Sequence, residues 1–434
     1  TKAAMLSLRH NFDQPKRNDG KPLIQKIQRD RQNTFQNIVL YTFFLCVLSL
    51  LVFLFWLLSA VLNSSSSDAI PHLNDCDAVV GPTKEDGRGL SNEDKVAICL
   101  IGGARKFELT GPSIVDNVLK IYPKADLFLH SPLDSDSYKF SYLHTAPRIT
   151  SVRLFRPRHI PVLESHSRIL SSIGSPKGIQ GLLQYFDLVE GCLGMIQAHQ
   201  AQRNFTYDWI VRIRVDSYWN GPLDPLNFVK GRYVIPQGSS FGGINDRLGI
   251  GDFNTSVLAL SRLSVLPEID ASGLRHANSE TLYKAQFVLR GIQFCTNRIP
   301  FCIVSDRKYR FPLRDVGVPV AAISSPGPLS GAKCRVCQPV CKDECLGPEM
   351  SKLKKTWGWT EWRNGTLQIC DGRDAWESGW ESEFDEVVGK KLATERKRVR
   401  NLSLEQCIAY FGLMKSRVSH WDAPPVKEIC EIGF

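Results

Sequence analysis

No H-E-x-x-H and no G-x-S-x-G nucleophile elbow is read in this 434-residue chain, so neither common hydrolase signature supports that class. No internal repeat is found, which sets aside solenoids and propellers. Charge is missing from Ile38 to Leu62, IVLYTFFLCVLSLLVFLFWLLSAVL, for 25 residues. At ~1.5 Å per residue such a run exceeds a ~30 Å hydrocarbon layer, and it is too long for a signal peptide or a buried core helix. Basic residues are also missing between Leu62 and Lys84, where Asp68, Asp75 and Asp77 stand. Ahead of the run are eight Lys and Arg against three Asp. That asymmetry predicts a single-pass type II protein, with its N-terminus cytosolic and its bulk in a lumen.

Five organisational regions follow: a polar cytosolic tail (1–37), a signal anchor (38–62), a Ser/Asp/Gly/Pro-rich stem (63–94), an α/β domain (95–325) and a Cys/Trp-rich region (326–434). Of 13 cysteines, Cys46 lies in the anchor, which leaves an even 12 for pairing. The cluster Cys334, Cys337, Cys341 and Cys345 is read as oxidised in such a lumen, with zinc as the alternative. Sequons at Asn204, Asn254, Asn364 and Asn401 are expected glycan acceptors; Asn63 sits too near the anchor. The net charge of +10 requires no nucleic acid, since half of it is the tail.

KVAICLIGG reads as a buried parallel strand, GPSIVDNVLKIY as a helix with Pro112 at its first position, and ADLFLHS as a second strand. Together they make a βαβ unit. Gly178 to Gln202 reads as a long amphipathic helix, GRYVIP, TSVLALS and FCIVS as strands, and Asn278 to Leu289 as a helix. GGINDRLGIGD reads as a glycine-rich loop.

The segment YDWIVRIRVDSYW is unusual. Its apolar start gives way to Arg212, Arg214 and Asp216 at period two, three charges on one strand face. One reading is a ligand site, because open α/β sheets bind ligands at the carboxyl ends of their strands. The other is an Arg–Asp ladder that merely cross-links a strand edge. Similarly, Gly102, Gly103 and Arg105 form either a nucleotide-binding turn or a plain turn. Glu280 is either a general base or a first-turn residue of a helix capped by Asn278 or Ser279. His130 and His276 are isolated and read as structural.

The layout resembles Golgi glycosyltransferases. YDWIVRIRVD, GGINDRLGIGD and NSETLYKAQFVLRGI resemble motifs of transferases with a GT-A-type fold, over about Lys95 to Ser305. From Lys95 to about Phe384 the chain also resembles a plant family of membrane-anchored proteins with a domain of unknown function. The resemblance implies a GT-A-like, Rossmann-type mixed sheet flanked by helices. It implies a nucleotide-sugar donor, a glycan or cell-wall polysaccharide acceptor, and a Golgi membrane location, with the endoplasmic reticulum as alternative. Asp216, Asp246 and Glu280 become catalytic candidates. Gly102, Gly103, Arg105, Arg212, Arg214 and Arg247 become donor-binding candidates, and Asp216 a ligand for Mn2+ or Mg2+. One departure stands out: Arg214 occupies the first position of the family's usual Asp-x-Asp. An adjacent cation opposes metal binding, so either other groups complete the metal site or arginines replace the metal as counter-charge to the diphosphate. The competing class is a catalytically inactive lumenal protein of the same fold that binds glycan or acts as a scaffold.

The topology is testable in sealed microsomes. Protease added outside should leave everything after Leu62 intact, and glycosidase should increase gel mobility; trimming of the C-terminal region from outside would contradict the orientation.

Overall fold

The computed structural model describes residues 47–50, 75–77, 88–173, 175, 177–310, 317–351 and 367–434. The expected anchor lies outside the described residues except for 47–50, which are helical. Asn364 and Trp357, Trp359 and Trp362 also lie outside them. Among the described residues no helix is long and apolar enough to cross a membrane.

Within Pro71–Phe434, a single unit, the apolar run after Lys95 forms β1 (Val96–Ile101), every residue buried. It is flanked in parallel by β2 (Asp126–Pro132) and β4 (Trp209–Arg214), and β3 (Ile149–Phe155) lies parallel beyond β2. On the other side the chain reverses: β7 (Leu248–Asp252) runs antiparallel to β4 and to β6 (Tyr233–Pro236). β8 (Phe294–Asn297) and β12 (His420–Asp422) form the edges, giving the order β12-β3-β2-β1-β4-β7-β6-β8. The result is a mixed eight-stranded α/β sheet flanked by helices. A second sheet, β10 (Ala321–Ala322), β11 (Lys333–Arg335), β9 (Phe301–Val304) and β5 (Ser217–Trp219), continues the chain that leaves β4.

Several elements differ from the expectation, each for a local reason. The first helix starts at Phe107, five residues early, and carries Pro112 inside it; the lost backbone bond is followed by a π-turn over Val115–Leu119. TSVLALS belongs to a helix, Phe253–Leu260, because the Asp252 carboxylate accepts the Thr255 N–H at 2.9 Å and caps it. The second half of GGINDRLGIGD is β7 rather than loop. Its Gly249 and Gly251 are required by the Tyr233 ring: a Cβ there would come within 2.1 and 2.5 Å of ring or hydroxyl atoms.

The cysteine-rich region shares both sheets with residues 95–325. It contributes β12 to the large sheet and β11 to the small one, beside β10 from the end of the preceding region. Its helix Leu404–Arg417 buries Cys407, Phe411 and Met414 in the same core as β1 and β4. All twelve cysteines outside the anchor are paired: 76–295, 99–192, 302–334, 337–370, 341–345 and 407–430. Only one bridge stays inside the Cys334–Cys345 cluster; of the two that leave it, Cys302–Cys334 fastens β11 to β9 and Cys337–Cys370 holds the segment that follows β11. Cys76–Cys295 closes 219 residues, which in the chain-entropy model stabilises by about 5 kcal/mol.

Peptide mapping without reduction should therefore recover Cys302–Cys334 and Cys337–Cys370 as linked peptides. Reduced cysteines there with stoichiometric zinc would contradict the pairing.

Candidate functional site

Arg212 and Arg214 share one face of β4, the face covered by the helix Gly178–Arg203, while Val211 and Ile213 fill the core opposite. The two arginines have different roles. Arg212 is 1% exposed; its Nη1 donates to the Asp246 carbonyl at 2.6 Å and to the Tyr185 hydroxyl at 3.1 Å. It is a buried strut beneath the Asp246 loop. Arg214 stands at the strand end and forks onto the carboxylate two residues on: Nε to Oδ1 at 2.9 Å and Nη2 to Oδ2 at 2.7 Å. Burial would raise the Asp216 pKa, but the charge and hydrogen bonds of Arg214, with Lys333 and Arg105 behind, hold it well below the usual carboxylate range. The Asp216 carbonyl accepts from Val304 N at 2.9 Å, anchoring the strand end to the small sheet.

The carboxyl end of β1 meets the same place. Gly102, at φ +124°, packs against Val215, where a Cβ would sit 3.4 Å from the Val215 Cβ, and its backbone conformation disfavours any side chain. At Gly103 a Cβ would be 2.8 Å from the Asp134 carboxylate. Arg105 is exposed on the rim, and its carbonyl accepts from the Lys139 ammonium.

The third contributor is the loop before β7. Asn245 ties it down, donating to the carbonyls of Gly238 at 2.9 Å and Ser330 at 3.1 Å. Asp246 is buried; its carboxylate accepts from the Ser279 hydroxyl and lies 3.8 Å from Arg262. Burial would raise its pKa, yet Arg262 and Arg212 keep it below the ordinary value. Arg247 donates to the Gly331 carbonyl at 2.5 Å and lies over the Phe241 ring at 5.3 Å. A Cβ on Gly243 would come 1.9 Å from the Glu280 carbonyl oxygen, so only glycine lets the loop reach the helix Ser279–Leu289.

That contact places Glu280 beside Asp246 and Arg247. Asn278 is the cap, its side chain accepting from Thr281 N at 2.8 Å, and the half-buried Glu280 carboxylate in the first turn bonds its own backbone N–H. Burial and the Asp246 charge push its pKa up to about 7, against the pull of Arg247. A carboxylate poised there is suited to take a proton near neutrality.

Lys333, from β11 in the cysteine-rich region, also reaches this site and was not picked out by sequence reasoning. Burial and the neighbouring Arg247 and Arg214 push its ammonium well below the ordinary lysine value. Only a lysine inside an apolar, cysteine-flanked strand hinted at it.

Other candidates lie elsewhere. His130 is buried, its Nδ1 2.8 Å from the Leu188 carbonyl, and burial lowers its pKa to about 4. His276 is exposed. Asn204, Asn254 and Asn401 are all exposed. Residues 238–242, GSSFG, do carry the G-x-S-x-G spacing that the sequence reading passes over. They follow β6 and lead to β7 rather than into a helix, so Ser240 occupies no nucleophile elbow.

The donor set at Asp216 does not fit Mn2+ or Mg2+. Both its oxygens are held by Arg214, and its other charged neighbours include Lys333 and Arg105. Hard cations need several oxygen ligands, and among the described residues no three His, Cys, Asp or Glu gather around one point.

No curated protein sequence matches the chain. Among solved structures, apo mouse xyloside xylosyltransferase 1 aligns over 47% of this chain and 85% of its own, at 14% identity and a TM-score of 0.31. A likeness that remote says nothing about activity. Residues 91–434, most of the chain, match the family described as Domain of unknown function (DUF7796), and the protein belongs to that family.

Proposed function

We propose that this protein is a glycosyltransferase that moves a sugar from a nucleotide-sugar donor to a glycan or cell-wall polysaccharide acceptor, working in the Golgi lumen behind an N-terminal anchor. The observation that carries the reading is a chain of neighbours: the β1 turn packs on the end of β4, the Arg214–Asp216 fork stands there, and Arg247 acts on both Arg214 and Glu280, whose pKa is pushed up to about 7. In this reading Glu280 takes the acceptor hydroxyl proton as the oxygen bonds to the sugar's anomeric carbon. The bond from that carbon to the donor diphosphate breaks, and the leaving diphosphate is met by arginines that need no reorganisation. Asp216 keeps Arg214 aimed at the site, and Asp246, locked by Ser279 and Arg262, holds the loop carrying Arg247.

A second reading, a glycan-binding or scaffold protein without catalysis, draws on one feature: both Asp216 oxygens are committed to Arg214.

Two variants separate these readings. Asp216→Asn releases one arm of the fork and should weaken UDP binding by about tenfold, or about 1.4 kcal/mol, with the fold retained by circular dichroism. UDP affinity unchanged alongside a large drop in Tm would leave the pair a structural cross-link.

Glu280→Gln should lower transfer by roughly 10²–10⁴-fold. The parent rate should fall as pH drops below about 7, where Glu280 takes up its proton, and the variant should lose that limb. Stability checks the same shift independently. The folded state holds the Glu280 proton from the ordinary 4.5 up to about 7, so ionisation costs stability as pH rises through that window. Glu280→Gln should therefore melt higher at pH 8 and lose its advantage below pH 4.5. Identical melts at both pH values would show that the carboxylate is not strained.

A further inference from the structure

We propose that this site binds a pyrophosphate group through cations alone, with Lys333 of the disulfide-bonded C-terminal sheet as its central ligand. The inference rests on the transferase reading and specifies how its donor would be held.

The charges around the site do not cancel. Arg214 is matched by Asp216 and Arg262 by Asp246, while Glu280, the carboxylate that acts most strongly on Arg247, is partly protonated because burial and Asp246 push its pKa up to about 7. Lys333 makes no ion pair among the described residues, and its charged neighbours are chiefly Arg247, Arg214 and Arg307, with Asp216 already taken. Arg247 has no carboxylate within ion-pair distance among the described residues either; its guanidinium donates to a backbone carbonyl. Both side chains are substantially desolvated, and burial lowers the pKa of each. Gathering desolvated cations in excess of their counter-charge costs folding free energy, and functional sites are where such costs persist. A multiply charged anion at this point would remove the imbalance.

The fold holds Lys333 there by design of the small sheet. Ser217 of β5 pairs with Ile303 of β9, which pairs with Lys333 of β11. At ~4.8 Å per strand, the Lys333 backbone lies roughly 10 Å from Ser217, within reach of a four-carbon side chain and one bound phosphate. Paired residues share a face, so Lys333 lies on the face of Ser217 and Ile303, and its nearest charges are Arg247, Arg214 and Asp216. Its neighbour Cys334 points the other way and is bridged to Cys302 on β9. Two residues before Lys333, the Gly331 carbonyl accepts from Arg247. One short strand is thus fastened on one face by a disulfide and at its start by the second unmatched cation.

Pyrophosphate is the ligand class this arrangement fits. Lys333 supplies a point charge and Arg214 and Arg247 supply planar donors, spread over two sheets rather than focused on one tetrahedral oxyanion. The glycine turn after β1 allows close backbone approach beside them.

The test is calorimetric titration of the full-length chain with inorganic pyrophosphate and with UDP, in EDTA and in Mn2+, for the parent, Lys333→Met and Lys333→Arg. Both probes should bind in EDTA. Lys333→Met should weaken each by about tenfold or more while raising Tm, and Lys333→Arg should keep most of the affinity. The rise in Tm distinguishes a ligand residue from a structural one, whose loss would lower Tm. Binding that requires Mn2+, or is untouched by Lys333→Met, overturns cation-only recognition and leaves the transferase reading standing. No binding of either probe under any condition overturns both.

Discussion

The Arg214–Asp216 fork is the interaction around which the rest of the site is arranged. It forms where β4 leaves the large sheet and the chain crosses to the small one, so it sits at the junction of the two hydrogen-bonded layers. With both oxygens of Asp216 engaged, the carboxylate acts on its surroundings through Arg214 rather than as a free ligand. On the proposed reading, the cations left over beside the committed Asp216 recognise negative charge, and the neighbouring side chains fit that role. Arg247 is turned inward by the Gly331 carbonyl, Lys333 is delivered from β11, and Glu280 is kept partly protonated by burial beside Asp246.

The cysteine-rich region takes on a different meaning in this arrangement. Its bridges run outward from the Cys334–Cys345 cluster into β9 and back to Cys370, instead of closing a separate module. They hold a strand of only three residues, Lys333–Arg335, in a sheet where hydrogen bonding alone would be marginal. Intact bridges are then a condition for the placement of Lys333 and not only for stability. Arg335 on the same strand donates to the carbonyls of Arg307, Gly372 and Asp374, which ties the segment down from its far side.

Much of the scaffold was legible because period and composition decide it locally. The all-apolar β1 reads as a buried parallel strand, and the long helix declares itself by its stripe. Asp216 lies past the end of β4 in the turn to β5, whereas Arg212 and Arg214 could be placed on one face by alternation alone. Their division of labour could not, because burial of Arg212 depends on Tyr185 and the Asp246 carbonyl from distant segments. TSVLALS was misleading since a short apolar run suits strand and helix equally, and the deciding Asp252 cap lies just ahead of it. Gly249 and Gly251 read as loop flexibility but serve to clear an aromatic ring. An even cysteine count gave pairing without connectivity. Lys333 was invisible for the same reason: only β-pairing across a hundred residues brings it to Asp216.

The central claim is that the carboxyl ends of β1 and β4, the loop before β7 and the strand β11 form one nucleotide-diphosphate site. Hydrogen–deuterium exchange of the full-length chain, with and without UDP in EDTA, tests it most directly. The account predicts joint protection of peptides covering 101–107, 213–217, 244–248 and 331–335. Protection confined to other segments, or none at saturating UDP, would contradict it.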